Sequence, residues 1–222
     1  MIEIKNLNKI YLKGKKNMVH ALNNINLKID DRETVAIIGE SGAGKSTLLH
    51  IMSCIDNFDG EYYLDNIDIN KLSESKKSKL RSSKIGIVLQ DFALIDDFTV
   101  FENVMTPLYF NKKIKDKKGS VMRALKKTGI ASLKSKKVSQ LSGGQKQRVA
   151  ISRALVTSPE YIFADEPTGS LDSKTSEEIV KMLFDLNRNG ITIIIVTHNL
   201  DIANKCPVSY THLRAHETRS NL

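Results

Sequence analysis

The nine residues Gly39-Glu40-Ser41-Gly42-Ala43-Gly44-Lys45-Ser46-Thr47 directly follow the apolar run Thr34-Val35-Ala36-Ile37-Ile38, and they constrain this chain more than any other feature. The order is strand, glycine-rich turn, helix, with Leu48, Leu49, Ile51 and Met52 continuing as the apolar stripe of an amphipathic helix. Glycines let the backbone curl so that successive N–H groups point inward, and the helix that follows offers the positive end of its dipole. A nucleoside triphosphate is therefore the expected ligand. Lys45 would supply a point charge to the phosphates and Ser46 a hydroxyl to Mg²⁺.

With 222 residues the chain can bury one good core, or one core with a second lobe inserted in it. A hydrophobic share of 41% and a charged share of 27% are those of an ordinary globular protein. Apolar runs such as Ile193 to Val196 are far too short to span a bilayer, and Met1-Ile2-Glu3-Ile4-Lys5 does not open a secretory signal. Cys54 and Cys206 lack metal-type or redox-type spacing, so reduced cytosolic thiols are expected. The net charge of +9 is carried by lysine clusters at Lys13 to Lys16, Lys71 to Lys84 and Lys112 to Lys137. They are poor in Arg and have no aromatic interleaving, which reads as solvated faces or a surface near anionic lipid heads rather than a nucleic-acid site.

Short apolar runs alternate with longer helical patterns, as in a mostly parallel sheet covered by helices. Strands are expected at Thr34 to Ile38, Lys84 to Leu89, Tyr161 to Ala164 and Ile191 to Val196. Each is followed at its carboxyl end by residues of chemical interest: the glycine loop, Gln90, Asp165-Glu166 and His198. In open α/β sheets ligands gather at that edge. Alternation in Met1 to Lys28 and Glu61 to Ile69 predicts a small antiparallel sheet, and the texture of about 91–159 predicts an inserted helical lobe. Ile179, Leu183 and Leu186 share one helical face and should be core, with Asn189-Gly190 as the stop.

Leu141-Ser142-Gly143-Gly144-Gln145 narrows the class. Ser142 is a good N-cap, two glycines allow close backbone approach, and a helix from Gln145 through Val156 presents a positive end to an anion. With this pentapeptide between the phosphate loop and Asp165-Glu166, the chain resembles the ATP-binding cassette ATPases from about Met1 to Lys205. The resemblance implies a P-loop NTPase core, a small antiparallel β subdomain and an inserted helical subdomain.

It also implies roles. Ser142, Gly143, Gly144 and Gln145 would bind the γ-phosphate of a nucleotide held by the opposite subunit. Asp165 resembles the residue that holds Mg²⁺, Glu166 the one that polarises the attacking water, and Gln90 the one that reaches Mg²⁺ and that water. His198 resembles the histidine that contacts the γ-phosphate. Ser170-Leu171-Asp172 looks like the loop crossing between subunits, and Tyr11 stands where the family has an aromatic for adenine. Two copies would sandwich two ATP molecules head to tail at the cytoplasmic face of the membrane. The helical lobe and the Gln90 loop would receive a cytoplasmic helix of an integral-membrane permease.

Val19-His20-Ala21-Leu22, Phe92-Ala93-Leu94, Thr99-Val100-Phe101-Glu102-Asn103-Val104 and Ala164-Asp165-Glu166-Pro167-Thr168-Gly169 resemble the branch of lipoprotein-release, macrolide-export and antimicrobial-peptide transporters. The alternative within the family is the ATPase of a solute importer. A chromosome-maintenance or DNA-repair ATPase would need a long coiled coil between phosphate loop and signature, and a translation factor would join two cassettes.

Two departures stand out. Asp31-Arg32-Glu33 fills a turn where the family usually has glycine, so Arg32 must avoid a positive φ or accept strain. After Cys206-Pro207 the residues 208–222 show neither strand alternation nor the expected Asp-Gly turn. This segment is expected to be a non-native or disordered tail, with the ATPase domain being 1–207. His212 and His216 have helical spacing but no third ligand.

Overall fold

The structure is a computed structural model and describes residues 1–12, 18–40, 42–111, 113–211 and 218–221. The chain divides into two compact units, residues 1–78 with 192–222, and residues 79–191.

The first unit contains two sheets. In one, β1 (Ile2–Tyr11), β2 (Val19–Ile29), β4 (Asp59–Leu64) and β5 (Ile67–Asp68) run antiparallel in the order β2-β1-β4-β5. Asp65 and Asn66, with φ of 51° and 62°, make the two-residue turn from β4 to β5, the left-handed pair that suits a tight hairpin. Asn6 on β1 and Asn24 on β2 are left-handed residues at two successive register shifts of this strand pair. Their backbone groups are satisfied by a closed ring of amides. Asn6 N–H donates to Asn26 Oδ1, Asn26 Nδ2 to Asn24 O, Asn24 N–H to Asn8 Oδ1, and Asn8 Nδ2 to Asn6 O.

The second sheet places β3 (Thr34–Ile38) parallel to β8 (Thr192–Thr197) on one side and to β9 (Val208–Thr211) on the other. Val35, Ala36 and Ile37 and all of Ile193 to Val196 are fully buried, the pattern of a parallel sheet covered on both faces. Helix α1 (Lys45–Met52) buries Leu48, Leu49, Ile51 and Met52, and α7 (Leu200–Ala203) follows β8.

Three expectations change here. β8 runs Thr192–Thr197 rather than Ile191 to Val196. Arg32 takes the strained option, with φ 64°, while its N–H donates to Thr192 Oγ1 at 2.8 Å. Val208–Thr211 is a strand where none was expected, with Val208 and Tyr210 buried and the Tyr210 hydroxyl bonded to the Lys28 carbonyl. The edge of β3 supplies the partner that the tail's own pattern does not advertise. Thr218–Asn221 forms β10, antiparallel to β9. Lys13 to Lys16, Lys112, His212 and His216 lie outside the described residues.

The second unit pairs β6 (Ile85–Val88) parallel to β7 (Tyr161–Asp165). β6 is shorter than the expected Lys84 to Leu89, and β7 extends one residue further, to Asp165. Helices α3 (Val100–Phe110), α4 (Lys117–Lys127) and α5 (Gly143–Leu155) lie within the range expected for the helical lobe. A capping box of Thr99 and Glu102 starts α3, with Glu102 Oε2 accepting from Thr99 N–H at 2.7 Å. Helix α6 (Ser173–Arg188) buries Ile179, Leu183 and Leu186, as its periodicity predicts. The remaining helix, α2 (Glu74–Lys84), carries the chain from the first unit into the second.

Candidate nucleotide site

In the first unit the register Ile38↔Thr197 sets the phosphate loop and His198 side by side at the carboxyl edge of the parallel strands. Gly42 and Gly44 are left-handed, with φ of 81° and 86°. A Cβ at Gly44 would sit 2.2 Å from the Ala21 carbonyl oxygen, so position 44 admits only glycine. Gly44 is also the N-cap of α1, which has no side-chain cap and no acid in its first turn. The positive end of the helix is thus left for an anion to complement.

Lys45 is buried, and its ammonium donates to the Gly39 and Glu40 carbonyls at 2.8 and 2.9 Å, holding it inside the loop. Ala43 N–H closes the turn on Glu40 O at 3.1 Å. Ser46 is exposed and Thr47 half-buried, while Ser41 lies outside the described residues. His198 is exposed at the end of β8, ahead of Asn199, whose side chain caps α7.

Tyr11 lies at the end of β1, 38% exposed, with its hydroxyl donating to Asp56 Oδ2 at 2.7 Å. The Thr47 side chain also hydrogen-bonds the phenol oxygen, linking this ring to the phosphate loop. The Lys9 ammonium is 4.9 Å from the ring centroid and bonds Asp56 Oδ1 at 2.6 Å. Burial, helped by Asp56 against the opposing Thr47 bond, raises the phenol above its ordinary pKa. The ring is therefore anchored at its hydroxyl end. Sequence reasoning named Tyr11 but not Asp56, because nothing local marks a partner so far along the chain.

In the second unit the register Val88↔Ala164 brings the ends of β6 and β7 together, and with them Gln90 and Asp165-Glu166. Asp165 is buried, Glu166 half-buried and Gln90 exposed. Glu166 has φ 42°, a left-handed conformation that residues with side chains rarely adopt. Its carbonyl accepts from Gly169 N–H at 3.0 Å. Gln90 Nε2 lies 3.4 Å, and Glu166 Cβ 3.6 Å, from where a Cβ of Gly169 would be. The amide and the acid thus converge on one small turn. Gln147, fully buried on α5, donates from Nε2 to the Pro167 carbonyl at 2.7 Å and ties that turn to the signature helix.

Ser142 caps α5 in a reciprocal box with Gln145. The Ser142 hydroxyl accepts from Gln145 N–H at 3.4 Å and Gln145 Oε1 accepts from Ser142 N–H at 3.1 Å. The Ser-x-x-Gln spacing announced this box, although sequence reading used only the serine. Gly143 is exposed. Gly144 faces α6, where its absent Cβ would be 2.5 Å from Thr175 Cγ2.

Asp172 is the N-cap of α6, with Oδ1 accepting from Thr175 N–H at 3.0 Å and Oδ2 from the Thr175 hydroxyl at 2.6 Å. The Thr175 hydroxyl first, then its N–H, hold the Asp172 carboxyl below its ordinary pKa. Its oxygens are thus committed to a helix start. A serine hydroxyl such as that of Ser46, an amide oxygen such as that of Gln90 and a carboxylate such as that of Asp165 are each of the hard oxygen type that Mg²⁺ prefers. Among the described residues no cluster of three His, Cys, Asp or Glu has the makings of a protein-only metal site.

An apolar strand ending in a phosphate loop, a serine-capped Gly-Gly helix and paired acids at a strand end together define a nucleotide-hydrolysing cassette. Residues 22–169 match the ABC transporter family model, and the chain belongs to the ABC transporter family, as one of its ATP-hydrolysing chains. MJ0796 of Methanocaldococcus jannaschii, an uncharacterized ABC transporter ATP-binding protein, is 46% identical over 210 residues, covering 91% of this chain and 89% of that one. A dimeric structure of MJ0796 in a post-hydrolysis state, bound to ADP and Pi, superposes with a TM-score of 0.90. That alignment covers 100% of this chain and 99% of the other at 40% identity.

The macrolide export ATP-binding/permease protein MacB of Mannheimia succiniciproducens is 44% identical over 91% of this chain, which spans 32% of that longer protein. The lipoprotein-releasing system ATP-binding protein LolD of Wigglesworthia glossinidia brevipalpis is 41% identical, over 92% of this chain and 90% of its own length. These relatives match the branch read from the sequence, and the fold is the P-loop cassette with parallel sheet, antiparallel β subdomain and helical subdomain. Among the described residues no helix is long and apolar enough to cross a membrane.

Proposed function

We propose that this chain powers a permease of the exporter or mechanotransmission type from the cytoplasmic face of the membrane, acting on a lipoprotein, macrolide or antimicrobial peptide. The MacB and LolD relatives support that branch. The observation that carries the chemistry is the turn at Gly44, a left-handed position that only glycine can fill and that leads into a helix with an uncapped positive end. Such a turn fits a polyphosphate wrapped by backbone N–H groups.

In this reading Gly39, Glu40, Ser41, Gly42, Ala43, Gly44 and Thr47 line the phosphates, Lys45 neutralises their charge, and Tyr11 stacks on the base. Ser46, Gln90 and Asp165 hold Mg²⁺, which offsets charge developing on the phosphoryl oxygens when bound. Glu166, fixed in its strained turn beside Gln90, accepts a hydrogen bond from the attacking water and orients it. His198 steadies the γ-phosphate.

Ser142, Gly143, Gly144 and Gln145 close over a nucleotide bound to a second copy, and the dimeric state of the MJ0796 relative supports this. Asp172 shapes that approach through the start of α6. Closure and reopening form a two-state switch. The permease is received by the helical lobe and the Gln90 loop, where Ile95, Phe98, Tyr109 and Phe110 are exposed apolar residues.

The test is Glu166→Gln in the full chain. Mg-ATP binding should persist, turnover should nearly vanish, and an ATP-dependent dimer should appear by size-exclusion chromatography. Unchanged turnover would remove Glu166 from this role.

A further inference from the structure

Gln90 sits at the start of a short stretch with unusual backbone. Phe92 and Ala93 are consecutive left-handed residues, with φ of 61° and 45°, and neither is glycine. Two such residues in a row need something to hold them. Among the described residues their own backbone supplies Phe92 N–H to Leu89 O at 3.2 Å and Ala93 N–H to Asp91 O at 2.7 Å. The rest comes from α5. Arg153 donates from one guanidinium nitrogen to the Phe92 carbonyl at 2.8 Å and from the other to the Ala93 carbonyl.

A planar fork with two parallel donors matches two successive carbonyls turned the same way, which a single ammonium cannot do. The Asp91 carboxylate adds electrostatic attraction. The base of the arginine is fixed as well. A Cβ on Gly86 would meet the Ala154 carbonyl at 2.6 Å, so β6, the strand leading to Gln90, lies directly against α5 beside Arg153.

We propose that Arg153 is the positioning residue for Gln90. It clamps the Phe92 and Ala93 carbonyls, sets the turn after the glutamine, and thereby fixes the Gln90 amide over the Glu166 to Gly169 turn. The catalytic half of this inference rests on the ATPase reading above, whereas the clamp itself rests only on geometry.

The experiment compares wild type, Arg153→Lys, Arg153→Met, Gln90→Ala and Arg153→Met/Gln90→Ala as full chains. Hydrogen–deuterium exchange of residues 91–95 reads the clamp. Steady-state hydrolysis of Mg-ATP reads its consequence. Arg153→Met should speed exchange in that stretch and lower kcat by about tenfold or more with KM within about twofold, the signature of a misplaced group rather than lost binding. Arg153→Lys should fall between. In the Gln90→Ala background, Arg153→Met should cost less than about twofold further, because the group it positions is gone.

Unchanged exchange at 91–95 overturns the clamp. Losses that multiply in the double variant, or a raised KM with normal kcat, overturn the positioning role. If Arg153→Met does not fold, Arg153→Lys carries the same comparisons. If wild type hydrolyses no ATP, the ATPase reading fails while the exchange measurement still decides on the clamp.

Discussion

Replacing Gly144 by alanine separates what the signature glycine does for the fold from what it does for a phosphate. The added Cβ would lie 2.5 Å from Thr175 Cγ2, well inside van der Waals contact. Thr175 cannot simply rotate away, since its hydroxyl donates to Asp172 Oδ2 at 2.6 Å and that bond helps start α6. Overpacking of this kind costs about 1–3 kcal/mol. Better helix propensity of alanine returns up to about 1 kcal/mol. Gly144→Ala should therefore destabilise by up to about 2 kcal/mol.

Thr175→Ser removes the offending methyl and keeps the hydroxyl, losing about 0.5 kcal/mol for a half-buried group. In the serine background Gly144→Ala should no longer destabilise, giving a coupling energy of about 1–3 kcal/mol in a double-mutant cycle. Urea unfolding of the four proteins measures it. Turnover should recover with stability in the repaired double variant, because the Cβ points at α6 and leaves the N–H groups at the helix start open to an anion. Additive stabilities would refute the packing argument, and turnover that stays low despite restored stability would show that the bare Cα itself meets the phosphate.

Two smaller predictions concern local backbone. Arg32→Gly removes left-handed strain of about 1–2 kcal/mol against an entropic loss of about 0.5–1 kcal/mol, while the N–H bond to Thr192 remains possible. The thermal midpoint should rise by up to about 2–4 °C with turnover unchanged, and a fall would contradict the strain assignment. Asp172 has its carboxyl held below the ordinary value of 3.8, so its cap stabilises fully above that value and is lost as pH falls through the lower folded one. The stability gap between wild type and Asp172→Ala should therefore shrink from pH 6 to pH 3, and a gap that is constant over that range would refute the cap's contribution.

The sequence revealed strand ends more readily than what holds them. The phosphate loop, Gln90, Asp165-Glu166 and His198 were legible because apolar runs stop abruptly at chemical residues, and the registers Ile38↔Thr197 and Val88↔Ala164 bring these together in pairs. The Ser142 cap was legible because capping is local. The Arg153 clamp, the Asp56 anchor of Tyr11 and the Gln147 tie to Pro167 each join residues far apart in sequence, and no local pattern encodes them. β9 escaped for a related reason, since its four residues become a strand only against the edge of β3. The left-handed φ of Glu166 was likewise unreadable, because the strain is imposed by the turn to Gly169 rather than by residue type.

The central claim is that the Gly44 corner and Lys45 grip a polyphosphate, and titration calorimetry of Mg-ATP into the full chain tests it most directly. A saturable heat at one site per chain that disappears in Lys45→Ala, with the variant still folded by circular dichroism, is the predicted result. No heat from folded wild type, or equal heat from Lys45→Ala, would contradict it.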